Sequence, residues 1–116
     1  MSRTRDTADV ISKKSFDHSL TTSSTSQVAL DEFSVTRFRT VKYQLQVTSG
    51  TGFHAAEFVI VHNGTSTFNT EYAIVMTGNA LATFDSDISG GNVRLLITPA
   101  STSSTTFKLI RSAIPV

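Results

Sequence analysis

Arg37-Phe38-Arg39-Thr40-Val41-Lys42-Tyr43-Gln44-Leu45-Gln46-Val47-Thr48 is the stretch that decides the fold, because from Thr40 onward polar and apolar side chains alternate without a break. In an extended strand successive side chains point to opposite faces, so Val41, Tyr43, Leu45 and Val47 share one face. Thr40, Lys42, Gln44, Gln46 and Thr48 share the other. One face is buried and one is wet, as in an antiparallel sheet with a solvated side. The same period recurs from Gln27 onward, interrupted by turn residues, and helical periodicity is absent. Strands are expected at 28–34, 37–48, 53–62, 65–77, 81–87, 93–98 and 105–113. Ser49-Gly50-Thr51-Gly52, Asn63-Gly64, Gly78-Asn79 and Ser89-Gly90-Gly91-Asn92 separate them, and Pro99 stops the sixth. Seven or eight short strands are enough for two packed sheets. The expected fold class is all-β, an antiparallel β-sandwich of jelly-roll-like type, with Val41, Tyr43, Leu45, Val47, Phe53, Val59, Phe68, Tyr72, Ile74, Leu95, Ile97, Phe107 and Leu109 in its core.

Composition agrees with this class. Charged residues are 16% of 116, while Ser and Thr are close to three in ten, which suits half-buried strands and polar turns. Ten basic against nine acidic residues leave a net charge of +1, no field to draw in nucleic acid or an anionic membrane, and neither is expected as a partner. With no cysteine there is no disulfide framework, thiolate metal site or cysteine nucleophile. Apolar runs such as Phe58-Val59-Ile60-Val61 are far below the roughly 20 residues that span a bilayer. The N-terminus, with Arg3, Arg5 and Asp6, is no signal peptide, so a soluble, unprocessed single domain is expected.

Residues 1–26 read differently from the rest. Their large apolar residues are Val10, Ile11, Phe16 and Leu20, too few to offset about 1 to 2 kcal/mol per residue of backbone ordering. An extended arm over 1–26 followed by a sandwich domain over 27–116 is therefore expected, with a disordered tail as the alternative.

Asn-Gly between strands is a strong hairpin signal, because type I′ turns need two positive φ values. A two-residue turn at Asn63-Gly64 pairs His62 with Thr65, Val59 with Phe68, Ala55 with Tyr72 and Phe53 with Ile74. The face carrying Phe53, Ala55, Val59, Val61, Phe68, Tyr72, Ile74 and Met76 is then the core. The other, with Phe58, Ile60 and Val75, leaves apolar area in water unless a partner covers it, so these three residues are expected in an oligomer interface. A β-bulge near Ala55-Ala56 that flips the register is the alternative. On this register Glu57 and Arg39 both fall among core residues, and a structural ion pair between them satisfies both.

No catalytic constellation survives. His54 and His62 are about 26 Å apart along one strand at ~3.3 Å per residue, so they cannot share a metal and read as isolated surface or interface histidines. Asp85 and Asp87 beside Gly90-Gly91 lack the further ligands of a calcium loop, and Arg94 is placed to pair with either. Gly50-Thr51-Gly52 lacks the helix of a phosphate loop, there is no Gly-x-Ser-x-Gly elbow, and the sequon Asn63-Gly64-Thr65 coincides with the hairpin turn. No enzyme activity, catalytic residue, cofactor or metal is expected.

Lys42-Tyr43, Gln46-Val47-Thr48, Glu57-Phe58-Val59-Ile60-Val61-His62-Asn63-Gly64, Thr70-Glu71-Tyr72, and the run from Thr83-Phe84-Asp85 through Gly90-Gly91-Asn92-Val93-Arg94-Leu95 to Thr98-Pro99 carry a resemblance. Together with Ile110-Arg111-Ser112-Ala113-Ile114, and weakly with Ser23-Ser24-Thr25-Ser26-Gln27, they resemble a β-sandwich module of tailed phages that infect cyanobacteria and other marine bacteria, over about three quarters of the chain. Arg3-Thr4-Arg5-Asp6-Thr7-Ala8-Asp9 is similar to the opening of many such virion proteins. The resemblance implies a structural virion protein without a catalytic motif, and threefold symmetry. The expectation drawn from it is a homotrimeric capsid decoration, or cement, protein on the outer capsid surface. Its arm would grip the major capsid protein through Val10, Ile11 and Phe16, with Arg3, Arg5, Lys13 and Lys14 at acidic or carbonyl-rich positions. The alternative is a tail, baseplate or tail-fibre component whose sandwich contacts a receptor or glycan.

Overall fold

A computed structural model describes residues 15–116. Eight strands follow one another: β1 (Ser15–Thr22), β2 (Val28–Ser34), β3 (Phe38–Ser49), β4 (Gly52–His62), β5 (Thr67–Met76), β6 (Ala82–Ser89), β7 (Asn92–Pro99) and β8 (Thr105–Pro115). They form a five-stranded sheet in the order β1-β8-β3-β4-β5 and a three-stranded sheet in the order β2-β7-β6, all antiparallel. The chain crosses between sheets at β1–β2, β2–β3, β5–β6 and β7–β8, while β3, β4 and β5 run as a meander within the wide sheet. Among the described residues no helix is long and apolar enough to cross a membrane.

The alternation in β3 sets the core. Val41, Tyr43, Leu45 and Val47 face the narrow sheet, where they meet Val93, Leu95 and Ile97 of β7, with Phe107 and Leu109 of β8 beside them. All are buried, and all but Val93 were expected in the core. Two glycine turns hold the registers. At the β6–β7 turn Gly90 and Gly91 take φ of +59° and +81° between paired Ser89 and Asn92, the type I′ geometry that residues with a Cβ resist. At the β3–β4 turn Ser49 pairs with Gly52 around Gly50-Thr51, and Gly50 takes φ +59° at the first central position, the type II′ pattern.

This second turn overturns the expected faces of the β4–β5 hairpin. It places Ile60 opposite Val41, Phe58 opposite Tyr43, Ala56 opposite Leu45 and His54 opposite Val47, so the inward parity of β3 passes to these residues. Phe58 is 2% and Ile60 0% exposed, both in the protomer's own core rather than in an interface. Phe53, at 49%, and Phe68, at 57%, lie outside with Tyr72 and Ile74, and Val59 is half-buried. Val75 is 69% exposed. The Asn63 turn also differs. It is a four-residue loop in which His62 pairs with Thr67, while Asn63 Oδ1 accepts from the amides of Thr65 and Ser66 at 3.0 and 2.8 Å. Further along, Ala73 and Ile74 stand against the single residue Ala56, a bulge with Ala73 at φ +52°.

Residues Ser15–Thr22, read as part of an arm, are a strand of the sandwich: all eight pair with Ser112 to Thr105 of β8. Phe16 lies in this strand, opposite Arg111 in register. Arg3, Arg5, Val10, Ile11, Lys13 and Lys14 lie outside the described residues. The wide sheet has two more strands than the narrow one, so its edges overhang, and β5 is solvent-exposed along most of its length.

Candidate functional site

The outward parity of the five strands builds one surface. The register lines up Asp17, Ile110, Gln44, Glu57 and Tyr72 in one row across the sheet, and Ser19, Lys108, Gln46, Ala55 and Val75 in the next. A trough of about 650 Å³ runs along these two rows, within the size range of small-molecule sites. Its polar lining comes from Asp17, Ser19, Gln44, Gln46, Glu57 and Lys108, and its apolar lining includes Ile110, Ala55 and Ala73. The space exists because small side chains occupy β4 and β5 where the bulge breaks their ladder.

At the flank, Lys42 Nζ lies 3.2 Å from Glu57 Oε1. A hydrogen bond from the Tyr72 hydroxyl, then that from Lys42, holds the Glu57 carboxyl below the usual carboxylate range. Glu57 in turn raises both Lys42 and Tyr72. The expected Arg39–Glu57 pair is not made. Glu57 lies on the outer face opposite Gln44, one step diagonally from Lys42, while Arg39 is exposed and its Nη1 donates to the His62 carbonyl at 3.0 Å.

His54 and His62 are buried rather than on a surface. His62 Nδ1 accepts from the Gly64 amide at 3.0 Å, and Nε2 donates to the Phe38 carbonyl at 2.6 Å. Nδ1 thereby holds the loop after β4, and Nε2 ties the end of β4 to the start of β3. His54 Nδ1 accepts from the Leu81 amide at 3.2 Å, its ring packs edge-on against Phe84 at 6.0 Å, and its Nε2 has no partner. Among the described residues no three potential ligands group around a metal position.

Arg94 chooses Asp87. Its Nε and Nη2 donate to Asp87 Oδ1 and Oδ2 at 2.7 and 2.6 Å, a two-point contact across the β6–β7 hairpin that holds the Asp87 carboxyl below its ordinary value. A lowered carboxyl stabilises the fold above the unfolded value of about 3.9, and the contribution is lost as pH falls through the folded value. Asp87→Asn is therefore expected to lower the urea midpoint at neutral pH by no more than about 1 kcal/mol of stability, the pair being at the surface. The gap to wild type should close in acid, and a gap that persists there would show another origin.

Sequence reasoning missed a polar cluster between the sheets. Tyr43 Oη and Arg111 Nη1 both donate to Asp31 Oδ2, at 2.7 and 2.8 Å, and the Arg111 guanidinium lies 5.4 Å from the Phe38 ring centre. Burial, then the Asp31 charge, pushes the Tyr43 hydroxyl far above its ordinary value, so it stays a donor. Arg111 was visible in the pattern: it shares parity with the inward residues Phe107, Leu109 and Ala113. Asp31 was not, because a register shift between Ala29 and Asp31 leaves Leu30 and Asp31 both buried.

No protein-family profile matches the chain, and no curated protein matches it. Among solved structures it is similar to the tailspike protein of Acinetobacter baumannii phage AM24, at 7% identity over 91% of this chain and 27% of that one, with a TM-score of 0.44. It is similar to the tailspike of Acinetobacter phage vB_ApiP_P1, at 13% identity, 89% and 22% coverage and a TM-score of 0.48. A third is a tailspike of Acinetobacter baumannii bacteriophage Fri1, a capsular polysaccharide depolymerase, at 14% identity, 88% and 18% coverage and a TM-score of 0.35. The chain spans about a quarter or less of the length of these three proteins.

Proposed function

We propose that this chain is a non-enzymatic structural module of a phage virion, on the tail side of the particle, that assembles with copies of itself through the exposed hairpin of its wide sheet. One observation carries the reading: Phe53, Val61, Phe68, Tyr72, Ile74 and Val75 put large apolar side chains into solvent on two adjacent strands. Contiguous apolar surface of this kind marks a contact site. The bulge at Ala73 disrupts the β5 ladder, which discourages strand addition at that edge and favours packing by side chains. The virion assignment itself draws on the sequence motifs. A cement role with an arm over 1–26 loses support because Ser15–Thr22 is committed to the protomer's own sheet. The non-enzymatic part draws on the carboxylates, since Glu57, Asp87 and Asp31 each hold a basic partner. Depolymerase activity is not carried over at 7 to 14% identity.

The test has two measurements. Light scattering of the pure protein is expected to give a trimer, and Phe68→Asp with Val75→Asp is expected to give folded monomers by circular dichroism; a wild-type monomer overturns the assembly claim. Antibody labelling of particles is expected on the tail. Label on the capsomers restores the decoration reading, and absence from the particle ends the virion reading.

A further inference from the structure

We propose that the trough across the wide sheet is a carbohydrate site for a short neutral oligosaccharide. The proposal rests on the tail-side reading for the source of the sugar, a bacterial surface, and on the trough alone for its chemistry. Four side chains converge there with unspent hydrogen-bonding capacity. Asp17 offers acceptors, Lys108 offers donors, and Gln44 and Gln46 offer both, and among the described residues none of the four side chains has a hydrogen-bond or ion-pair partner. Sugar hydroxyls donate and accept at once, so planar amides and carboxylates engage neighbouring hydroxyls in pairs. The apolar C–H face of a sugar ring matches the flat floor made by Ala55, Ala73 and Ile110.

Charge selects a neutral ligand. Two carboxylates, Asp17 and Glu57, stand against two ammonium groups, Lys108 and Lys42, so neither a phosphate chain nor a uronic acid polymer gains a net field. A peptide strand is disfavoured for a different reason. The middle of the floor belongs to β8, β3 and β4, interior strands paired on both sides, and at its margin the β5 ladder is broken by the bulge at Ala73, so no regular strand edge is offered along the trough.

The full chain, labelled with nitrogen-15, is titrated with maltotriose, chitotriose and tetragalacturonate while the side-chain amide signals of Gln44 and Gln46 are followed. At least one neutral trisaccharide is expected to shift both amides at millimolar concentration. Gln46→Ala is expected to weaken binding up to about tenfold, and Ala55→Phe, which fills the floor from an exposed position, to abolish it. Silence of both amides with both neutral sugars overturns the proposal. So does binding that survives Ala55→Phe, or a preference for tetragalacturonate. Particle labelling is read separately: a capsid location with responsive amides sinks the tail reading alone, and a tail location with silent amides sinks the carbohydrate site alone.

Discussion

Phe58→Asp is expected to abolish cooperative folding. Phe58 sits opposite Tyr43 in the β3–β4 register, 6.2 Å from the Phe84 ring, and is 2% exposed. Truncating a buried Phe costs about 3 to 5 kcal/mol, and the carboxylate adds the cost of burying a charge with no partner. Domains of this size carry about 5 to 15 kcal/mol in total. The expected result is loss of the strand signal in circular dichroism and of any urea transition. Val75→Asp, changed on an exposed side chain, is expected to stay folded. A folded Phe58→Asp protein would place Phe58 outside and overturn the register of β4.

Two turns in the same segment made opposite claims about that residue. Asn63-Gly64 offered a hairpin signal, but the chain closes a wider loop there. Gly50-Thr51 offered the type II′ turn that forms, and it joins β4 directly to β3, the strand whose inward face was unambiguous. Propagating parity from β3 through that turn gives Ile60, Phe58 and Ala56 as inward residues from sequence alone. Counting apolar residues on each side could not, because both faces of β4 are apolar: the outer one also carries Phe53, Val59 and Val61.

The trough was half legible. Gln44, Gln46 and Lys108 follow from the alternation of β3 and β8, but Asp17 and Ser19 were hidden because residues 15–22 look too polar to fold alone. They do not fold alone; β8 supplies the ladder. Phe16, His18 and Leu20 alternating with Asp17, Ser19 and Thr21 was the available signal. Ala73 had none, since alanine in the left-handed region is set by the bulge and not by its own preference.

Asp31→Ala is expected to cost about 3 to 5 kcal/mol, because it removes the carboxylate of a buried ion pair and leaves the Tyr43 hydroxyl without its acceptor. The Arg111 side chain is 11% exposed and the Asp31 side chain 7%, so the pair is largely desolvated. Tyr43→Phe keeps the ion pair and is expected to cost only about 0.5 to 1.5 kcal/mol. The informative variant removes both charges. Asp31→Leu with Arg111→Met exchanges a desolvated pair for apolar contacts beside Phe38 and Leu109, and is expected to recover most of the loss of Asp31→Ala. Urea midpoints for the two single variants and the double one separate the possibilities. If Asp31→Ala falls within about 0.5 kcal/mol of wild type, the cluster is hydrated and the sheets are held by their apolar contacts alone. If the double variant is as weak as Asp31→Ala, the pair itself fixes how the bulge after Ala29 seats β2 on the wide sheet, and neutral packing does not replace it.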